Sequence, residues 1–198
     1  MKSSIILIVA ILTISFQTNA QTISQRSSTT GLTGGVELGL FSYALDDERH
    51  TASTSVKAKL NYGIDEMFSV GLNYLHSFNI EQFIEPNFSA NVFQLEGRIN
   101  FGSTQSVLRP TIAANLSYST SDPGLLEGDY HRMSLLKGFG FGVNAGLKYF
   151  LNTAMSISGN ADFITGRYTD NVFDGEKDDQ NYHFNLLSFT IGFNYKIN

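Results

Sequence analysis

The residues that first point to chemistry form a glycine-rich run, GFGFGVNAG, at positions 138–146. From Gly140 to Ala145 the run fits the relaxed Gly-x-Gly-x-x-Ala fingerprint, in which glycines let a dinucleotide phosphate approach the start of a helix. The run also has a period of two, with glycines on one face and Phe139 and Phe141 on the other, which is the pattern of a β-strand. The surrounding elements must decide between these two interpretations.

A second candidate is the acidic segment DNVFDGEKDDQN at 170–181. Asp170 at the first position and Asp-Gly at the fifth and sixth resemble a calcium-binding loop, but Val172 occupies the third position and Asn181 the twelfth, where a glutamate belongs. We therefore interpret the segment as a solvated charged loop. The chain has no cysteine, which excludes thiolate zinc sites, disulfides and cysteine catalysis. The sequence predicts no catalytic residue, no metal site and no cofactor.

The N-terminus and the composition indicate an exported chain with an unusual surface. Residues 1–20 combine Lys2, the apolar run SIILIVAILTISF and a small-x-small site that ends at Ala20, which predicts a cleaved signal peptide followed by a flexible leader at 21–33. Loss of Lys2 leaves 12 basic against 18 acidic residues, so a nucleic-acid partner is not expected. Only 16% of the residues are charged, below the roughly 25% of soluble domains.

A period of two residues dominates the rest of the chain, residues 34–198. It recurs in eight segments, near 36–40, 55–62, 68–74, 93–101, 108–118, 138–149, 155–163 and 187–197. No internal segment shows a period of 3.6, so no βαβ unit surrounds the glycines and the dinucleotide interpretation is rejected. The predicted fold is all-β: an eight-stranded antiparallel up-and-down β-barrel that crosses a membrane.

Three features favour lipid rather than water outside this barrel. Long polar links near 77–90, 121–137 and 168–183 alternate with short turns, as in outer-membrane barrels. The polar face has few charges, and the apolar face has aromatic residues near both ends, which predicts two interfacial belts. The predicted belt residues are Tyr62, Phe101, Tyr149 and Tyr195 near the short turns, and Tyr74, Tyr118, Phe139 and Phe163 near the long links.

The signal peptide, the eight amphipathic strands and the terminal LLSFTIGFNYKIN resemble the small outer-membrane β-barrel family of Gram-negative bacteria, of the OmpA-transmembrane-domain and OmpX type. Gln21 and the terminal Phe-Asn-Tyr-Lys are similar to barrels of Bacteroidetes-like bacteria, and Asn198 stands where many members end in an aromatic residue. The resemblance implies an outer-membrane location, with outer-membrane lipid, lipopolysaccharide and the barrel-assembly machinery as partners. It also raises lipid A modification by a His–Ser pair, but His76-Ser77 and His131 with Ser134 lack the His-x-Ser spacing of the deacylases, so we expect no enzyme.

Charged residues on the predicted inward face should pair and plug the lumen, because burial makes pairing nearly obligatory. This predicted network consists of Glu37, Lys57, Lys59, Glu96, Arg98, Arg109, Lys148, Asp162 and Lys196. An acidic rim of loop residues could also bridge to lipopolysaccharide phosphates through divalent cations.

Apolar residues in two of the long links are candidate contacts with an unknown extracellular partner or, equally, with one another. They are Phe83, Ile84, Phe88, Leu125, Leu126 and Tyr130. The sequence thus predicts a non-enzymatic structural or surface-binding protein. Two alternatives stay open: a carrier or narrow channel for small hydrophobic molecules, and an exported, soluble, lipocalin-like binding protein.

Overall fold

The computed structural model describes residues 27–46, 48–49, 53–78, 89–122, 133–173 and 176–197. Its strands are β1 (Gly31–Leu45), β2 (Glu48–Arg49), β3 (Ser53–Gly63), β4 (Phe68–Phe78), β5 (Ser89–Asn100), β6 (Leu108–Asp122), β7 (Met133–Phe150), β8 (Met155–Phe173), β9 (Glu176–Asp178) and β10 (Tyr182–Ile197). The predicted signal peptide lies outside the described residues. No helix among the described segments is long and apolar enough to span a membrane.

The eight long strands form one closed antiparallel barrel, as predicted. Each long strand pairs with the next in sequence, and β10 pairs with both β8 and β1. A path through paired residues that leaves β1 at Leu32 and crosses all eight long strands returns to β1 at Ser42, a stagger of ten residues. Such a stagger tilts the strands and leaves an interior that side chains can fill.

The three short turns, at 64–67, 101–107 and 151–154, lie at one end of the barrel, here called the short-turn end. The other end, where the remaining connections lie, is called the loop end. The first described residues, 27–30, and the last strand residue, Ile197, are both at the short-turn end, because the number of long strands is even. β2 and β9 are short extensions at the loop end that pair with β1 and β8.

Alternation of apolar and polar side chains gives the barrel two different surfaces. Large apolar side chains point outward and are exposed, among them Leu38 at 66%, Phe139 at 72% and Ile191 at 69%. Polar side chains of the central and short-turn regions point inward and are buried. A lipocalin-like soluble barrel would place its apolar face inside, so the outward apolar face supports the transmembrane interpretation.

Several strands extend further toward the loop end than predicted. β1 continues to Leu45, β7 begins at Met133, β8 continues to Phe173, and β10 begins at Tyr182. The predicted loop 168–183 is therefore largely β structure, and its acidic part forms the β8–β9 hairpin, in which Asn171 pairs with Asp178. In these extensions the inward side chains are mostly apolar, with Asn171 as an exception, so the sequence loses the apolar-out, polar-in alternation on which the prediction depended.

Candidate functional site

The lumen contains buried ion pairs, and its central layer is built around Glu37 of β1. Glu37 is completely buried and accepts hydrogen bonds from Lys59 Nζ at 2.8 Å and from Thr190 Oγ1 at 2.7 Å. Ser158 Oγ and Asn160 Nδ2 each donate to its Oε1 at 2.7 Å. These side chains come from β1, β3, β8 and β10, so a single carboxylate ties together the strands that flank the point of barrel closure.

Two further ion pairs complete this central layer. Lys57 Nζ lies 3.0 Å from both carboxylate oxygens of Asp162, across the lumen between β3 and β8. Arg98 Nε donates to Glu96 Oε1 at 2.8 Å within β5, and Asn73 Nδ2 donates to Glu96 Oε2 at 3.3 Å. All of these charged side chains are almost fully buried. We call Glu37, Lys57, Lys59, Glu96, Arg98 and Asp162 the charged layer.

At the short-turn end a segment of residues 27–30 crosses the mouth of the barrel. Thr29 N donates to Glu66 Oε2 at 3.1 Å, Ser28 Oγ donates to Glu66 Oε1 at 3.1 Å, and Ser27 N donates to Thr104 O at 2.8 Å. The backbone passes so close to β3 that a Cβ on Gly63 would lie 1.7 Å from Thr29 O. Residues 27–30 thus contact two of the short turns and cover the mouth of the barrel. They belong to the region predicted as a flexible leader.

Arg109 joins this closure rather than the charged layer. Its Nη1 lies 3.0 Å from Glu66 Oε2 and 3.4 Å from Thr29 Oγ1, and its Nη2 donates to Glu66 O. Partial burial acts to raise the pKa of the Glu66 carboxyl, but the hydrogen bonds from Thr29 N and Arg109 outweigh it and hold that pKa below its usual value. Glu66 lies in a turn and was absent from the predicted network.

Lys148 and Lys196, also predicted to pair, have no carboxylate within ion-pair distance among the described residues. Lys196 Nζ contacts Ser28 Oγ at 3.2 Å, and Lys148 Nζ lies 6.0 Å from the centre of the Phe150 ring. Both lysines line one small cavity beside residues 28 and 29. Six of the nine predicted network residues therefore form three central pairs, Arg109 pairs at the mouth with Glu66, and two lysines have no acidic partner among the described residues.

At the loop end the lumen is lined mainly by apolar side chains, a change that was not predicted from the sequence. The apolar inward side chains there form one cluster, here called the apolar layer: Phe41, Tyr43, Leu75, Ala90, Val92, Leu136, Ile164, Tyr168, Phe184 and Leu186. The buried polar side chains of Ser77, Ser119 and Asn171 lie among them. The Tyr168 and Phe184 rings stack with their centres 4.4 Å apart. The inward side chains are therefore polar at the mouth and in the charged layer, as predicted, but mostly apolar between the charged layer and the loop end.

The glycine run lies in β7 and contributes to this apolar layer. A Cβ on Gly140 would lie 3.1 Å from Phe184 Cζ, and one on Gly166 of the neighbouring strand would lie 2.5 Å from the same atom. The glycines therefore make room for a bulky side chain that points into the lumen, and no helix follows them to form a phosphate site.

The histidine and serine candidates form no catalytic pair among the described residues. His76 points outward, where its Nδ1 lies 2.8 Å from Asn91 Oδ1, whereas Ser77 points inward and accepts a hydrogen bond from Ala90 N. The two side chains lie on opposite faces of β4, so they cannot share a substrate. His131 lies outside the described residues.

The remaining candidates are the aromatic residues and the loop contacts. The aromatic residues predicted for the belts lie on the outer surface, seven of them exposed and Tyr118 half-buried. The candidate contacts Phe83, Ile84, Phe88, Leu125, Leu126 and Tyr130 lie outside the described residues. No cluster of three potential metal ligands occurs in the described parts of the chain.

Comparisons with known proteins agree with this architecture. A family model described as the outer membrane protein beta-barrel domain matches residues 7–196. The crystal structure of Neisserial surface protein A is similar with a TM-score of 0.65 and 15% identity, over 85% of this chain and 98% of that one. The outer membrane protein OprG of Pseudomonas aeruginosa is similar with a TM-score of 0.58 and 13% identity, over 86% and 98%. No curated protein sequence matches the chain.

Proposed function

Because the chain belongs to the outer membrane protein beta-barrel domain family and is located in the outer membrane, we propose that its barrel is a closed anchor and that its long external loops bind a partner at the cell surface. The observation that carries the proposal is the closure of the lumen. The apolar layer, the charged layer and residues 27–30 fill it at three successive levels. A filled lumen leaves the loops as the surface through which the protein acts.

The filled lumen also argues against the carrier or channel alternative. A conducting path would have to displace the stacked rings of Tyr168 and Phe184 and then break the buried pairs of Glu37 and Asp162. Buried pairs resist this because separating them leaves charges without partners at low dielectric. We therefore expect no stable, discrete conductance steps from the purified protein in planar bilayers, and such steps would support a channel.

Loop binding is tested by removing apolar contacts from the loops while keeping the barrel. One variant carries Phe83→Ser, Ile84→Ser and Phe88→Ser, and a second carries Leu125→Ser, Leu126→Ser and Tyr130→Ser. A matched control carries Gln82→Ser and Asn87→Ser in the first loop. Cells that display each variant are compared for adhesion to protein-coated surfaces, and the gel shift of unboiled samples verifies barrel folding.

We expect both apolar variants to reduce adhesion and the polar control to leave it unchanged. Unchanged adhesion in both apolar variants, with a normal gel shift, would instead mean that these side chains pack against one another in a cap. The protein has no assigned catalytic group in this proposal, so lipid A extracted from expressing cells should keep its mass. A changed lipid A mass would replace the binding proposal with an enzymatic one.

A further inference from the structure

The outer face of the barrel contains a groove that the loop-binding proposal does not use. It has a volume of about 640 Å³ and extends over β3 to β7. Its lining is almost wholly apolar and includes Ala58, Leu72, Leu95 and Leu116. Ala58 is smaller than the neighbouring lining residues Leu60, Leu72 and Tyr74, and this difference in size makes the surface concave at Ala58.

Two aromatic pairs form the border of this groove on the side nearer the loop end. Tyr74 and Phe93 have ring centres 4.9 Å apart, and Tyr118 and Phe139 have ring centres 5.1 Å apart. The tilt of the strands places Phe139 closest to the loop end among the lining residues. The groove therefore extends obliquely along the outer face toward the loop end and ends at Phe139.

Two cationic side chains on the outer face lie next to Phe139, where the groove ends. Arg167 of β8 is paired directly opposite Phe139. Lys137 lies two residues before Phe139 in β7, on the same face and nearer the loop end, and the pairing of β7 with β8 is irregular between Lys137 and Gly138. Directly paired side chains lie about 5 Å apart and successive ones on a face about 7 Å apart, so both cations are within reach of a group held above the Phe139 ring.

These cations are available for an external anion. Arg167 is exposed and Lys137 is half-buried. Asp170 is paired opposite Lys137, but no described carboxylate is within ion-pair distance of either cation. His183, opposite Arg167, uses its Nε2 in a 3.1 Å contact with Thr165 Oγ1.

We propose that the groove and the two cations form a binding site for an anionic acylated lipid of the outer leaflet. An acyl chain lies along the groove, and a phosphate of the headgroup contacts Lys137 and Arg167. The combination identifies the ligand class, because an apolar groove alone accepts any lipid chain, whereas cations just above it favour a chain that carries a negative headgroup.

The absence of tryptophan from the chain allows a direct test with one introduced reporter. Phe93→Trp places a single fluorophore in the groove, and Phe189→Trp places a matched one on the outer face of β10, outside it. Each protein is inserted into phosphatidylcholine vesicles that contain a fixed fraction of brominated lipid, which quenches tryptophan on contact. The brominated lipid is phosphatidylglycerol in one series and phosphatidylcholine in the other.

We expect brominated phosphatidylglycerol to occupy the site of the Phe93→Trp protein at least about fivefold more than its share of the bilayer, given the attraction of basic residues for anionic lipid. The Phe189→Trp protein should show no such preference. Lys137→Gln with Arg167→Gln should remove the preference, and Lys137→Arg with Arg167→Lys should retain it. Lys177→Gln, an exposed cation of β9, is the control for overall charge.

Two additional measurements distinguish the lipid from other ligands. Ala58→Phe should fill the groove and lower the preference, whereas Ala161→Phe on β8 should not. Inorganic phosphate, compared with chloride at equal ionic strength, should leave the preference unchanged, and its loss would assign the cations to free phosphate. Equal quenching by the two lipids in the Phe93→Trp protein, or a preference that survives the double glutamine variant, would overturn the proposal.

Discussion

The charged layer and the apolar layer fill the same lumen by opposite means. In the charged layer Glu37 is satisfied by four donors, so its stability depends on the identity of each partner. In the apolar layer Leu186, Phe184 and their neighbours contact one another without direction, so stability depends on volume. The charged layer therefore specifies which strands meet, whereas the apolar layer mainly excludes water.

The largest expected effect comes from removing one charge of the charged layer. Glu37→Gln preserves the shape of the side chain but leaves Lys59 buried without a counter-charge, so we expect a loss of about 4 kcal/mol in the free energy of unfolding. Urea titration in liposomes, followed by the mobility of unboiled samples, measures it. The double variant Glu37→Gln with Lys59→Met should recover most of the loss, and a single variant within about 1 kcal/mol of the parent would contradict the role of pairing.

The apolar layer should respond to volume and not to isosteric exchange. Leu186→Ala leaves a cavity and should lower the free energy of unfolding by about 3 kcal/mol. Leu186→Met nearly conserves volume and should change it by less than about 1.5 kcal/mol. The same urea titration applies, and equal losses for the two variants would mean that this layer, like the charged one, depends on residue identity.

Lys148, which has no acidic partner among the described residues, should lower the stability of the folded barrel. Lys148→Met removes a half-buried charge and nearly keeps the length of the side chain, so we expect a gain of about 1 kcal/mol in the free energy of unfolding. Lys57→Met is the control, and it should destabilise the barrel because it leaves Asp162 without its partner. A loss in both variants would indicate that Lys148 has a counter-charge.

The smallest effect concerns the mouth and depends on pH. The pKa of Glu66 is lowered in the folded state, so its contribution to stability is present above its usual value of 4.5 and is lost as the pH falls through the folded value. We expect Glu66→Gln to be less stable than the parent at pH 7, by less than the variants of the charged layer because Glu66 is partly exposed. At strongly acidic pH the two should unfold at the same urea concentration, whereas a constant difference would exclude this titration.

The sequence predicted the architecture because the alternation of apolar and polar residues directly reports which side of a strand faces lipid. It also predicted the inward direction of Glu37, Lys57 and Asp162. It did not predict partners, because Lys57 and Asp162 are 105 residues apart and only the closure of the sheet brings them together. Glu66 was missed because it lies in a turn, where no alternation marks its direction.

The apolar layer was missed although the sequence contains a signal for it. At Leu40-Phe41 and Leu186-Leu187 two apolar residues are adjacent, and the structure points one of each pair outward and the other inward. Adjacent apolar residues interrupt a period of two and therefore resemble the end of a strand. In a barrel they mark the level at which the lumen changes from polar to apolar.

The contacts between β1 and β10 have a consequence for the order in which the chain assembles. They pair residues far apart in sequence, from Leu45 with Phe184 to Leu32 with Ile197, whereas every other pairing between long strands joins consecutive long strands. Because distant segments meet at a high entropic cost, this seam should form late. Until then two unpaired strand edges are open to other chains, so the interval before closure is when the protein is most prone to aggregate.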